Sequence, residues 1–226
     1  MKWGDFFWLA VFSGITALLI IPETHRIFVE LTNTYPYMMG FVKFAIMATM
    51  GELLSIRIIS GKWEKTPGMV YKAVIWGIVG MLIVLMFGIF SFGVEGCIKS
   101  KLLFAGNEFF APILSAFFIS AIMNLTFAPV FMAAHRMTDT YIEMRTEGLK
   151  TSWSDIIDKI DWKDFIRFVV GRIVPFFWIP MHTITFFLPS EYRVLMAAYL
   201  SIALGVILYY AGRRKSAANI MKIGSS

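Results

Sequence analysis

The sequence predicts an all-α fold: a polytopic membrane helix bundle of about six embedded helices plus a short interfacial amphipathic helix. Three observations lead there. The 22 residues from Ala73 to Val94 carry no charge. At about 1.5 Å per residue a helix of that length spans roughly 30 Å, the hydrocarbon thickness of a bilayer, whereas a helix in a soluble core keeps a polar face. The chain is 58% hydrophobic with a mean hydropathy of +0.70, and soluble domains are only about 45–50% apolar. No ten-residue alternation suggests barrel strands, so helices are the form left for a backbone in lipid.

The elements follow in order. Lys2 and the apolar run Phe6–Ile21 resemble a signal peptide, but the small-x-small cleavage pattern is missing and Pro22-Glu23-Thr24-His25 follows directly. A retained first helix is expected, and no Arg-rich transit peptide is visible. Thr32-Asn33-Thr34-Tyr35-Pro36 introduces the second segment, Tyr37–Ile59. Ser60-Gly61-Lys62 and Thr66-Pro67-Gly68 introduce the third, Met69–Val94. Ala105-Gly106-Asn107 introduces the fourth, Phe109–Ala134, which should run on into water and stop at Gly148. Ser152 and Asp155 then form a weak capping box. Trp153, Ile156, Ile157 and Ile160 follow with helical spacing, giving a short amphipathic helix that lies on the membrane surface or packs on the bundle. The fifth segment is Ile166–Leu188. Leu188-Pro189-Ser190 turns the chain into the sixth, Tyr192–Ala211. All 226 residues then form one membrane domain, with an additional N-terminal helix in 1–35, a bundle in 36–214 and a polar tail in 215–226.

Charge placement orients this scheme. With six spans, sixteen of the 21 basic residues fall on one side, and only Arg26, Lys43, Lys99, Lys101 and Arg193 on the other. Basic residues stay in the cytoplasm, so both termini are expected there. This asymmetry accounts for the net charge of +6 better than nucleic acid does, since no basic stripe is interleaved with aromatics. The single cysteine, Cys97, excludes an intrachain disulfide and a cysteine-based metal site.

Polar groups inside the apolar segments are the candidate functional residues. An ion in hydrocarbon costs about 2.5–3.5 kcal/mol on insertion scales. Lys43 and Glu52 both sit in the second segment, on opposite faces of a helix. Lys43, near an end, is expected to snorkel to the interface. Glu52 is deeper and needs a partner, a proton or water. Arg57 is badly placed at i+5, and Arg172 and His182 on the fifth segment are the expected partners. Glu52 either lines a polar pathway or ties helices together, and the same two roles are open to His182. Pro175 and Pro180 break the fifth segment around Trp178, where irregular backbone lines a cavity or simply kinks. Asn124 and Thr126 precede Pro129 and are expected to repair the broken backbone. Gly77, Gly80, Gly88 and Gly93 in the third segment, with Ala116 and Ser120 in the fourth, should permit close helix approach. His135 and Asp139, at i and i+4, read as a solvated helix end or as a headgroup or metal site. No Walker loop, dinucleotide fingerprint, HExxH or GxSxG occurs. Neither an enzyme, a cofactor nor a metal is therefore expected.

The order of several motifs carries a resemblance. Pro36 opens a helix holding Met50-Gly51-Glu52-Leu53-Leu54-Ser55, and Phe110-Ala111-Pro112 opens a later one. Trp178, Phe186, Leu188-Pro189 and Tyr192-Arg193 follow, then Gly212-Arg213-Arg214. Between Pro36 and Arg214 the chain resembles the family of organelle membrane proteins called Mpv-seventeen and peroxisomal membrane protein twenty-two. It departs from the family pattern at Glu52 (Asp there), at Pro180 (displaced by one), at His182 (Gln there) and at Thr185 (Asn there). The spacing of Phe186 and Pro189 requires a one-residue deletion. The Gly-Pro and Trp-Tyr signature of the family's second helix is absent, and Leu204-Gly205 replaces a Trp-Asn.

The resemblance implies an integral membrane protein, some relatives of which are thought to form pores for small solutes. The expected function is channel-like or transport-related, for small solutes or ions. Glu52, Arg172 and His182 would then form a polar contact near the path, shaped by Trp178. The alternatives are a non-transporting membrane organiser or scaffold, and a lipid-headgroup enzyme at His135 and Asp139. The expected partners are the lipid bilayer and a second copy or another membrane protein, not nucleic acid. The expected location is a prokaryotic plasma membrane, or else a mitochondrial or peroxisomal membrane.

Overall fold

Proline sets where many of the helices start. Its missing N–H costs nothing at a first helical turn, where that donor has no partner in any case. Pro22, Pro36, Pro112, Pro129 and Pro180 all occupy the first or second position of a helix. In the computed structural model, residues 2–64, 67–104 and 106–223 are described, with side chains to Ile207. Lys65, Thr66 and Ala105 of the expected connectors lie outside the described residues. So do the end of the polar tail after Ile223 and the side chains of Arg213, Arg214, Lys215 and Lys222.

Every regular element among the described residues is helical. The order is α1 Trp3–Ile20, α2 Pro22–Thr34, α3 Pro36–Ser60, α4 Met69–Lys99, α5 Ala111–Thr126 and α6 Ala128–Thr146. After them come α7 Trp153–Lys159, the single turn α8 Trp162–Asp164, a π-helix Phe165–Trp178, α9 Ile179–Phe187 and α10 Ser190–Ile223. Among the described residues four helices are long and apolar enough to cross a membrane: Trp3–Ile20, Met69–Lys99, the run Trp162–Phe187, and Ser190–Ile207. Counting α5 and α6 as one bent span makes five. The expected six are not reached, and α3, which carries Lys43, Glu52 and Arg57, is not among these spans.

Two further expectations change. The fourth segment is not one helix. It breaks at Phe127, between Thr126 and Pro129, and α5 and α6 meet at a 47° bend. Thr126 back-bonds to the Ile122 carbonyl, at 2.6 Å, and not to the Leu125 carbonyl that Pro129 leaves without its i−4 donor, so the expected repair is not seen there. Helix α2, which Pro22 initiates, has no counterpart among the predicted segments, because its mixed composition hides it. Other ends extend as well: α4 reaches Lys99, and α10 continues past Arg214 to Ile223. The stop near Gly148 is as expected. Gly148 takes φ +80°, and the Leu149 N–H reaches back to the Met144 carbonyl.

Polar ties gather at two opposite ends of the bundle. At one end Asp5 of α1 accepts bonds from Arg57 Nε (2.8 Å), Arg57 Nη2 (3.1 Å) and Trp63 Nε1 (2.8 Å), and Lys2 Nζ donates to the Gly61 carbonyl at 3.0 Å. At the other end His25 of α2 bonds Tyr192 of α10. There Lys43 does not snorkel. It is buried, donating to Thr32 Oγ1 at 2.9 Å and lying 4.3 Å over the Phe28 ring.

The core sits where α3 packs along α4 and α10, around Phe44, Met47, Val79, Phe87 and Ala198. Glycine makes this contact possible. A Cβ on Gly40 would stand 2.8 Å from the Gly80 carbonyl oxygen, and one on Gly205 would stand 2.5 Å from Ser55 Oγ. Gly77 and Gly80 therefore act as expected, with Gly77 against the Phe41 ring. Gly88 and Gly93 do not, since neither faces another helix. The outer surface is apolar, with Phe7 73%, Phe92 77% and Phe176 79% exposed. Large apolar side chains are exposed on several helices, an arrangement compatible with lipid.

Helix α7 forms with the expected capping box, Ser152 Oγ accepting from the Asp155 N–H and Asp155 from the Ser152 N–H at 2.8 Å. The Ser152 N–H and the Ser152 hydroxyl both donate to the Asp155 carboxylate and hold it below the usual carboxylate range. Ile156 and Ile160 pack against Met144 of α6, and Trp153 stays exposed.

Gly80→Ala should destabilise the detergent-solubilised protein by roughly 1–3 kcal/mol, the usual cost of overpacking. Gly93→Ala, into open space, should leave the thermal midpoint unchanged or raise it. Equal midpoints for the two variants would contradict the close α3–α4 contact.

Candidate functional site

From its N-cap Phe127, helix α6 presents one stripe at four-residue spacing: Phe131, His135, Asp139 and Glu143 follow. Such a spacing lays side chains along one face. The 47° bend at Phe127 tilts this face over the bundle interior, so the stripe roofs a cavity instead of facing water. The cavity has a volume of about 440 Å³. Its remaining walls come from α3, α4, α5, the end of the π-helix, the start of α9 and α10, with Glu52, Lys72, Trp76 and Ser201 among the contributors.

One end of the cavity is charged and open. Lys72 Nζ lies 2.8 Å from Glu52 Oε1 and 3.8 Å from Glu143 Oε1. Its side chain is only 7% exposed, against 26% for Glu52 and 45% for Glu143. His135 Nε2 stands 3.5 Å from Asp139 Oδ2. Arg136 is exposed beside them. This cluster joins α3, α4 and α6 at the same end as the Asp5–Arg57 pair.

The other end is buried. Ser120 Oγ donates to the Ile179 carbonyl at 2.7 Å, and Asn124 Nδ2 donates to the Ser120 carbonyl at 2.8 Å. The same amide lies 3.1 Å from His182 Nδ1. With Asn124 donating, Nδ1 accepts and the ring proton of a neutral His182 sits on Nε2. Trp178 stacks on His182 at 4.9 Å between centroids, and Phe87 meets its edge at 5.6 Å. The π-helix is what brings Trp178 here. Wider coiling accommodates Pro175, and the Ile179 N–H reaches back to the Val174 carbonyl five residues earlier.

Between the two ends the wall is aromatic. Trp76 lies 4.2 Å from His135, and Phe127 stacks on Phe131 at 5.3 Å. Two cavity-lining residues keep buried polar atoms without a hydrogen-bond partner, His135 Nδ1 and Trp178 Nε1. Such orphans are uncommon in folded proteins and mark places where a ligand or water completes the bonding.

Of the residues expected from sequence, Glu52, Trp178 and His182 line this one cavity. Arg172 does not. It is exposed on the π-helix, so it is not the partner of Glu52. Nor is His182, which bonds Asn124. The partner is Lys72, one turn into α4 and at the head of the third apolar segment. His135 and Asp139 likewise face the cavity and are not a merely solvated end. The four-residue stripe on α6 was the signal that would have found them. Among the described residues no group of three or more His, Cys, Asp or Glu is placed to hold a metal. No family model, curated protein or solved structure matches this chain.

Breaking the mouth pair should be measurable as coupling. In a double-mutant cycle of Lys72→Met and Glu52→Gln, unfolding in detergent should give a coupling energy of about 1–3 kcal/mol, since contacting residues in a shielded setting are non-additive. A coupling near zero would mean the pair does not hold α3 to α4.

Proposed function

We propose that this chain is an integral membrane protein that binds and passes a small solute through the α3–α4–α6–α10 cavity. The observation that carries the reading is the cavity itself. Its volume of about 440 Å³ falls within the roughly 300–1,000 Å³ of small-molecule sites. It runs from a charged open mouth to a buried His182–Asn124 pair, inside a bundle whose outer surface is apolar. An apolar exterior around a polar interior is the arrangement a bilayer favours for a solute path.

In this reading α3 is the sixth span. Its charges do not prevent insertion, because each has a partner within the bundle: Lys43 with Thr32, Glu52 with Lys72, Arg57 with Asp5. The connectivity then alternates between the two ends, with both termini on the cytoplasmic side, where most basic residues fall. Distant kinship with the Mpv-seventeen and peroxisomal membrane protein twenty-two family belongs to the same proposal, supported by the Gly51-Glu52 pair in a proline-started helix and by Trp178 beside His182. So does self-association, which would cover part of the exposed apolar surface.

Proteoliposomes give the test. Wild-type protein should raise the permeability to small polar solutes at least tenfold over empty vesicles, and Ala128→Trp, which fills the cavity from α6, should return it to background. Folded, correctly inserted wild type with no flux would reject transport and leave a scaffold role.

A further inference from the structure

The electrostatics and the wall chemistry of the cavity select among solutes. Among the described residues lining it, three carboxylates (Glu52, Asp139, Glu143) face two permanent cations (Lys72, Arg136). Lys72 is already committed, 2.8 Å from Glu52 and 3.8 Å from Glu143. Arg136 is exposed, where water and salt screen it. Asp139 has His135 as its near neighbour, at 3.5 Å, and no guanidinium or ammonium bonded to it. The mouth therefore carries surplus negative charge next to a low-dielectric wall, where a fixed charge acts more strongly than in water.

That wall presents aromatic faces. Trp76 and Phe131 flank His135, with ring centroids at 4.2 and 6.4 Å from it, and Phe44 lies 6.4 Å from Trp76. Ring faces attract cations, tryptophan most strongly, and quaternary ammonium groups are the usual guests of such surroundings. An anion entering here would meet three carboxylates. A bare metal ion would find aromatic carbon where it needs ligands. A neutral solute would use the apolar wall and gain nothing from the surplus charge.

We propose that the cavity takes an organic cation with an apolar body, a quaternary or tertiary amine. The ammonium group would lie among Asp139, Glu143 and Trp76, and the apolar part would point toward Phe127 and Trp178. This deepens the solute-path reading and rests on it.

Equilibrium binding of radiolabelled benzyltrimethylammonium to the full chain in zwitterionic nanodiscs tests it. Saturable binding is expected. Neopentylbenzene, of the same shape without the charge, should compete at least tenfold more weakly, and benzenesulfonate should not compete. Asp139→Asn and Glu143→Gln should each weaken binding about three- to tenfold, and Trp76→Leu about fivefold. Glu143 is half exposed, so its variant is expected to fold, and the competition series needs no variant at all. Absence of saturable binding, equal competition by the neutral analogue, or tighter binding of the sulfonate would overturn the proposal. Solute flux through proteoliposomes with no preference for cations would overturn the ligand class and leave transport standing. Cation binding without any flux would support the ligand class and count against transport.

Discussion

The contact on which the rest of the architecture turns is the ion pair of Lys72 and Glu52. It fixes α3 against α4 one turn inside the bundle, and it lets α3 carry an acid in an apolar setting. The two charges offset each other only if the helices approach closely. That approach depends on Gly40 and Gly80, whose backbones would be driven apart by any side chain. Packing and electrostatics thus constrain the same interface. Held apart, the carboxylate would need water or a proton, and the ammonium would need water or the loss of its proton.

The pair also shapes the cavity. Lys72 holds Glu52 on one side and reaches toward Glu143 on the other, so α3, α4 and α6 share one mouth. The break at Phe127 turns α6 over that opening. The π-helix, widened around Pro175, turns Trp178 and the start of α9 toward its floor. Two irregularities in otherwise regular helices therefore produce the enclosed space. Small departures of this kind are a recurrent way for helical bundles to build a site.

Much of this was legible in the residues. Hydropathy located the apolar runs, proline marked the helix starts, and Ser152 with Asp155 announced α7. The polar residues that converge were partly legible too, since Glu52, His182 and Trp178 are anomalies in apolar segments. Their partners were not. Sequence distance hid Lys72, because a lysine at the head of an apolar run looks like a loop charge until the fold shows which way it points. Arg172 looked better placed than it is, because the coil of a π-helix shifts each residue around the axis relative to an α-helix. Helix α2 was hidden for a simpler reason: its polar and apolar residues mix, and only Pro22 gave its start.

The direct measurement of the central claim is the sidedness of α3. In a Cys97→Ser background, Tyr35→Cys and Lys62→Cys place single thiols at the two exposed ends of that helix. Labelling sealed vesicles with a membrane-impermeant maleimide should modify these thiols from opposite faces, with Lys62→Cys on the cytoplasmic side. Modification of both from the same face would mean that α3, with its three charges, does not cross the bilayer, and the cavity it lines would not be a path.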